Sequence, residues 1–170
     1  MKRIVWAWLA LSAVAAPAAE AATKPELIGR FDAWQAYSHG SGPSVVCYAF
    51  SMPVERWPVG LKRDPGYLFV TWPRAGKGTK GEISLEMGYP IKSAANSTLS
   101  VGSSEFKLME EGENAWLQDA GQHASAILAL KRGNKATVKT TSKRGNETRD
   151  IYALEGFTRA HDAIRTACGR

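Results

Sequence analysis

Cysteine is nearly absent from this chain: Cys47 and Cys168 are the two in 170 residues. They are far apart and have no histidine or cysteine companion at ligand spacing, which excludes the usual zinc motifs, so no metal site is expected. Histidine is also scarce, with His39, His123 and His161 alone. His39 sits in a turn-like Ser38-His39-Gly40-Ser41-Gly42 segment, while His123 and His161 fall in or beside helical stretches. No nucleophile-elbow motif accompanies them, so no local hydrolase signature exists. A phosphate loop is missing too. The Gly76-Lys77-Gly78-Thr79 turn has Thr71 where the upstream glycine belongs and Gly78 where Ser or Thr should follow the lysine. The loose acidic stretch of Glu105, Glu110, Glu111 and Glu113 reads as a solvated hairpin edge, not as a paired-carboxylate site. No repeat occurs, and no cofactor is implied.

Long hydrophobic runs are limited to one, at the N-terminus. Lys2 and Arg3 precede an apolar run over residues 4–16, and small residues follow through Ala22. Ala19-Glu20-Ala21 fits a small-x-small cleavage site, so residues 1–21 are expected to be a signal peptide cut after Ala21. The run falls short of the roughly 20 apolar residues that a membrane span takes. No transmembrane segment is expected in the mature chain, which residues 22–170 would form as a single domain. The expected location is periplasmic, with outer-membrane association or secretion as variants.

Positive charge is in excess, at +6 for the whole chain. It gathers at Lys62 and Arg63, at Arg74, Lys77 and Lys80, and from Lys131 and Arg132 through Lys135 and Lys139 to Lys143 and Arg144. Such a balance favours anionic partners, among them lipid head groups, lipopolysaccharide or acidic host surfaces. Nucleic acid is not expected as a partner. Taken singly, each cluster also fits an ordinary solvated turn.

The pattern along the chain is mostly strand after strand. Residues 27–37 have strand character. Residues 44–51 form a run apolar on both faces, expected to be a central strand or one covered on both sides. Five prolines and glycines make 52–66 a loop. Strands are predicted over 67–72 and 82–87, hairpins over 97–109 and 135–154, and a short strand or turn over 114–117. Helical periodicity marks 119–132, where Gly133 serves as the cap, and a last helix from about 157 to 168. The fold class is mainly β, an antiparallel β-sandwich with two short helices, one of them C-terminal.

The last helix bears on the cysteines. Phe157, Ala160, His161, Ile164 and Cys168 recur at steps of three and four, so they share one face. Cys47 alternates with Val45 and Ala49 in the most apolar strand. Both thiols thus point into one core, and an exported chain with two cysteines favours a Cys47–Cys168 disulfide. Two buried free thiols are the alternative. Trp57, in the proline-rich loop, is the best candidate for an exposed contact, with Lys62 and Arg63 nearby.

A series of short segments runs along nearly the whole mature chain, beginning with Phe31-Asp32-Ala33-Trp34-Gln35-Ala36-Tyr37, Val46-Cys47-Tyr48 and Tyr67-Leu68-Phe69-Val70-Thr71. Gly88-Tyr89-Pro90, Ala115-Trp116-Leu117, Ser142-Lys143-Arg144-Gly145 and Tyr152-Ala153-Leu154-Glu155-Gly156-Phe157 follow in order, with Ala160, Ile164 and Cys168 at the end. In their order and spacing these residues resemble the invasion-associated locus B family of exported proteobacterial proteins. The resemblance implies an immunoglobulin-like β-sandwich in the bacterial envelope, a link of some members to entry into host cells, and no catalytic residues. The expected function is a non-enzymatic envelope binding module, tied to host-cell interaction or envelope integrity. Its partner would be an envelope or host-surface protein or an anionic glycolipid. Two rivals are a hydrolase assembled across loops and a purely structural role.

Overall fold

The computed structural model describes residues 24–73 and 81–169. The signal segment and the basic turn of Arg74, Lys77 and Lys80 lie outside the described residues. The chain is mainly antiparallel β with two helices, one C-terminal, as the sequence predicts. Strands β1 (Glu26–Phe31), β2 (Trp34–His39), β3 (Val46–Ser51), β4 (Glu55–Trp57), β5 (Tyr67–Pro73) and β6 (Glu82–Glu86) come first. Then follow β7 (Thr98–Val101), β8 (Ser104–Glu111), β9 (Asn114–Leu117), helix α1 (His123–Arg132), β10 (Lys135–Thr141), β11 (Glu147–Ala153) and helix α2 (Phe157–Cys168).

All pairings among the named strands are antiparallel, in the order β1-β2-β3-β5-β6-β9-β8-β7-β10-β11-β4. Strand β8 joins two halves. Its first four residues pair with β7 and its last four with β9. Two stretches depart from the sequence reading. Residues 27–37 are not one strand but the β1–β2 hairpin, because Asp32 takes a left-handed φ of 50° and reverses the chain. Within 52–66, expected to be all loop, Glu55–Trp57 is a strand on the outer edge of β11. Three residues between prolines are too few to show a period, so that pairing is tertiary in origin.

The core is one cluster that runs through both halves of the sheet, from Trp34 to Leu99, Val138 and Tyr152, and α2 covers it on β1, β2, β3 and β5. Trp34, Leu68, Val70, Ile83, Leu85, Phe157 and Ile164 are wholly or almost wholly buried there. The helix buries the face its spacing predicts, Phe157, Ala160, His161, Ile164 and Cys168. The sulfurs of Cys47 and Cys168 stand 2.07 Å apart, with Cα atoms at 5.8 Å, so β3 and α2 meet at disulfide distance. Gly156 starts α2 with φ of 87°, and a Cβ there would lie 1.9 Å from the Phe31 carbonyl oxygen. Only glycine lets the helix enter so close to the end of β1.

Strand β3 is central, between β2 and β5, but is not sandwiched between two layers. Cys47, Ala49 and Ser51 face α2 and are buried, while Val46, Tyr48 and Phe50 are only half-buried. Their cover comes from neighbours on the same face. Tyr37, Tyr48, Phe50, Tyr67 and Phe69 touch ring to ring, with centroids 5.6 to 6.4 Å apart.

Candidate functional site

Residues 52–66 lie where the sequence places a contact surface, and a buried ion cluster holds them. Asp150, fully buried on β11, takes Arg56 Nε at 3.0 Å and Arg63 Nη1 at 3.1 Å. The Arg56 guanidinium also donates to the carbonyls of Asp64 and Met87, and that of Arg63 to the carbonyls of Trp57 and Pro58. One carboxylate and two guanidinium groups thus tie both ends of the segment to β11. Gly88 completes the seat. Its φ is 68°, and a Cβ would stand 2.2 Å from the Asp64 carbonyl oxygen. Burial pushes the Asp150 carboxyl above its ordinary range, although both arginines pull it down. Nearby, Tyr89 Oη and Thr148 Oγ1 share a hydrogen bond of 2.6 Å. Burial, and then the Asp150 charge, raise the Tyr152 hydroxyl far above its usual range.

Outward from this anchor the chain is apolar. Met52, Val54, Trp57, Val59 and Leu61 are 37% to 72% exposed. They make up most of the exposed large apolar side chains among the described residues, in a stretch of ten positions. Arg149 lies over the Trp57 ring, 5.9 Å from its centroid. A groove of about 630 Å³ runs beside the segment, lined by Leu61, Lys62 and Arg63 on one wall and Ser142, Lys143 and Arg144 on the other. Two basic clusters far apart in sequence therefore share one groove. A second, of about 440 Å³, lies between Trp57 and the Lys139–Arg149 pair.

Of the residues singled out from sequence, Trp57 and Lys62 are exposed. Arg63 is not free in the same way. Its side chain is 7% exposed and turned inward onto Asp150. The sequence reading missed Asp150 as the hub, since an aspartate in an alternating strand looks solvent-facing until its parity is known. It also missed Arg149. The signal was present in register: Arg149 opposes Lys139 in a regular hairpin.

The histidines lie apart from these grooves. His39 is exposed at the end of β2. His123 accepts the Ile83 N–H on Nδ1 at 3.0 Å, and burial holds its pKa below the ordinary value. His161 is buried beneath Trp72 and Phe157, with ring centroids 5.7 and 6.0 Å away, and its pKa is lowered by desolvation. Asp162 accepts from Lys131, which holds its carboxyl below the usual range. Among the described residues no cluster of three or more His, Cys, Asp or Glu is placed to hold a metal ion. No helix among them is long and apolar enough to cross a membrane.

No family model matches the chain. No curated protein matches it in sequence. Its fold is similar to that of a solved structure, the crystal structure of invasion associated protein B from Bartonella henselae. The TM-score is 0.60 and the identity 15%, over 87% of this chain and 100% of that one. At that identity the likeness is one of fold.

Proposed function

We propose that this chain is an exported, non-enzymatic protein of the bacterial envelope, of the invasion-associated type, that binds an anionic partner. The face it uses is the 52–63 segment with the flanking groove. One observation carries the reading: Lys62 and the Lys143–Arg144 turn meet in a single groove beside exposed Trp57. Cations that converge from distant positions concentrate positive potential in a way that scattered solvated turns do not. The partner belongs to the envelope or to a host surface, and the contact serves host-cell interaction or envelope integrity. The fold likeness to invasion associated protein B supports the family side of this reading. None of the three histidines lines either of the two grooves described above, so the hydrolase alternative draws no support from them there.

Retention on an immobilised sulfated polysaccharide tests it. The protein is expected to bind at low salt and elute as salt screens the charges. The triple variant Lys62→Glu, Lys143→Glu, Arg144→Glu should pass through while keeping its circular dichroism spectrum. Absence of retention, retention indifferent to salt, or an unaffected variant would count against the reading.

A further inference from the structure

We propose that this face docks onto an anionic lipid bilayer surface, with Met52, Val54 and Val59 entering the boundary between head groups and acyl chains. The inference rests on the anionic-partner reading above and names that partner's chemistry.

Three observations converge. The first is shape. Met52, Val54 and Val59 project without lining either groove beside them. Val54 and Val59 offer nothing but C–H groups at 61% and 72% exposure. A protein partner would need a cleft of its own to receive such prongs, whereas a bilayer boundary accepts them wherever they touch. Trp57, half-exposed in the same segment, has the apolar body and polar N–H of a residue suited to the head-group level.

The second is charge. Cross-strand register places Trp57, Arg149, Lys139, Thr98 and Lys107 in one row across four neighbouring pairs. All three cations of that row are exposed. Arg149 and Lys139 stand directly opposite each other, an arrangement that costs stability in an antiparallel pair. The Trp57 ring under Arg149 and Glu147 beside the pair offset part of that cost, and a layer of phosphates would offset more. Lys62, Lys143 and Arg144 extend the basic area around the hairpin end. Glu55, Asp64, Glu113 and Glu147 lie among them, so the excess is moderate and the apolar prongs must share the binding. A single attraction of either kind gives weak attachment, and two together give a stable one.

The third is order. The Asp150 cluster fixes the segment from beneath, with Arg56 and Arg63 spanning β11 and the loop carbonyls. The prongs are therefore presented with little ordering cost left for binding.

The test is flotation of the protein with phosphatidylcholine vesicles, with and without phosphatidylglycerol, beside the polysaccharide assay. The protein is expected to float with the anionic vesicles alone and to be released by salt. Val54→Ser with Val59→Ser, which changes no charge, should weaken vesicle binding by at least about tenfold and leave polysaccharide retention intact. Lys139→Glu with Arg149→Glu should lose both. If the serine pair perturbs thermal unfolding, Val54→Thr with Val59→Thr replaces it. Flotation unchanged by either valine pair overturns the inference. So does polysaccharide binding without flotation, which assigns the face to a soluble or protein partner and leaves the anionic reading standing. Loss of both binding modes in the unaltered protein overturns the reading as well.

Discussion

Two surfaces of this molecule carry apolar side chains to water, and they do so differently. On the outer face of β2, β3 and β5, Tyr37, Tyr48, Phe50, Tyr67 and Phe69 stack ring against ring and are each half-buried. On the 52–61 segment the apolar side chains stand apart, and Val59 is 72% exposed. The aromatic row satisfies itself: each ring covers its neighbour, and the contacts contribute to folding. The exposed apolar side chains of 52–61 contribute little to folding, so their exposure has another cause. Their supports differ as well. The aromatic sheet is backed by α2, an apolar layer and the Cys47–Cys168 link. The 52–66 segment is backed by a buried ion cluster, which costs desolvation and returns geometry.

Four experiments test that contrast. Replacing both cysteines by serine should have the largest effect. A link between positions 121 apart restricts the unfolded chain by about 4 to 5 kcal/mol in the loop-entropy model. Denaturant titration should show a loss of that size and weaken both surfaces together. Next comes Arg56→Ala, which strips a partner from wholly buried Asp150 and should cost about 3 to 5 kcal/mol. Hydrogen exchange should then locate the greatest loss of protection in residues 52–66, with the aromatic sheet less affected. An even loss would merge the two regions.

Smaller again is Phe50→Ala, expected to cost about 1 to 2 kcal/mol by uncovering four rings. Val59→Ser should shift stability by no more than about 0.5 kcal/mol. Thermal melts of the two variants measure the contrast directly, and equal losses would erase it. The smallest effect is in pH. Burial lowers the folded pKa of His161 and of His123 below the ordinary 6.5. The folded protein therefore takes up fewer protons than the unfolded one, and stability is intact above that pH and declines as pH falls through the lowered values. His161→Leu should flatten the upper part of the decline in a series of melts. Acid loss centred in the carboxylate range instead would point to Asp162, which Lys131 holds ionised.

Much of the frame was legible because it rests on local period. The faces of β6, β10 and α2 follow from alternation or steps of three and four, and so does the inward aim of Cys168. Gly133 was legible as a helix end, yet its role differs from the usual one. Its φ is −85°, not left-handed, and a Cβ there would meet Val101 at 2.4 Å. Close packing, not backbone conformation, requires it. Strand β4 was not legible, because three residues carry no period. The apolar run of β3 left two alternatives, a central strand or one covered on both sides, since composition cannot distinguish covering layers from rings that cover one another, and the first holds.

Residue pattern alone is enough to make the chain mainly β, to bury one face of the last helix, and to aim Cys47 and Cys168 at one core. These are consequences of side-chain spacing along a few residues. Chain packing makes Asp150 the hub of two arginines and turns Arg63 inward. It alone brings Lys62 to Lys143 and Arg144, and Trp57 to Arg149. Each of those depends on which strands become neighbours and in what register. That choice is made by packing across the whole chain and leaves no mark on any short stretch of it.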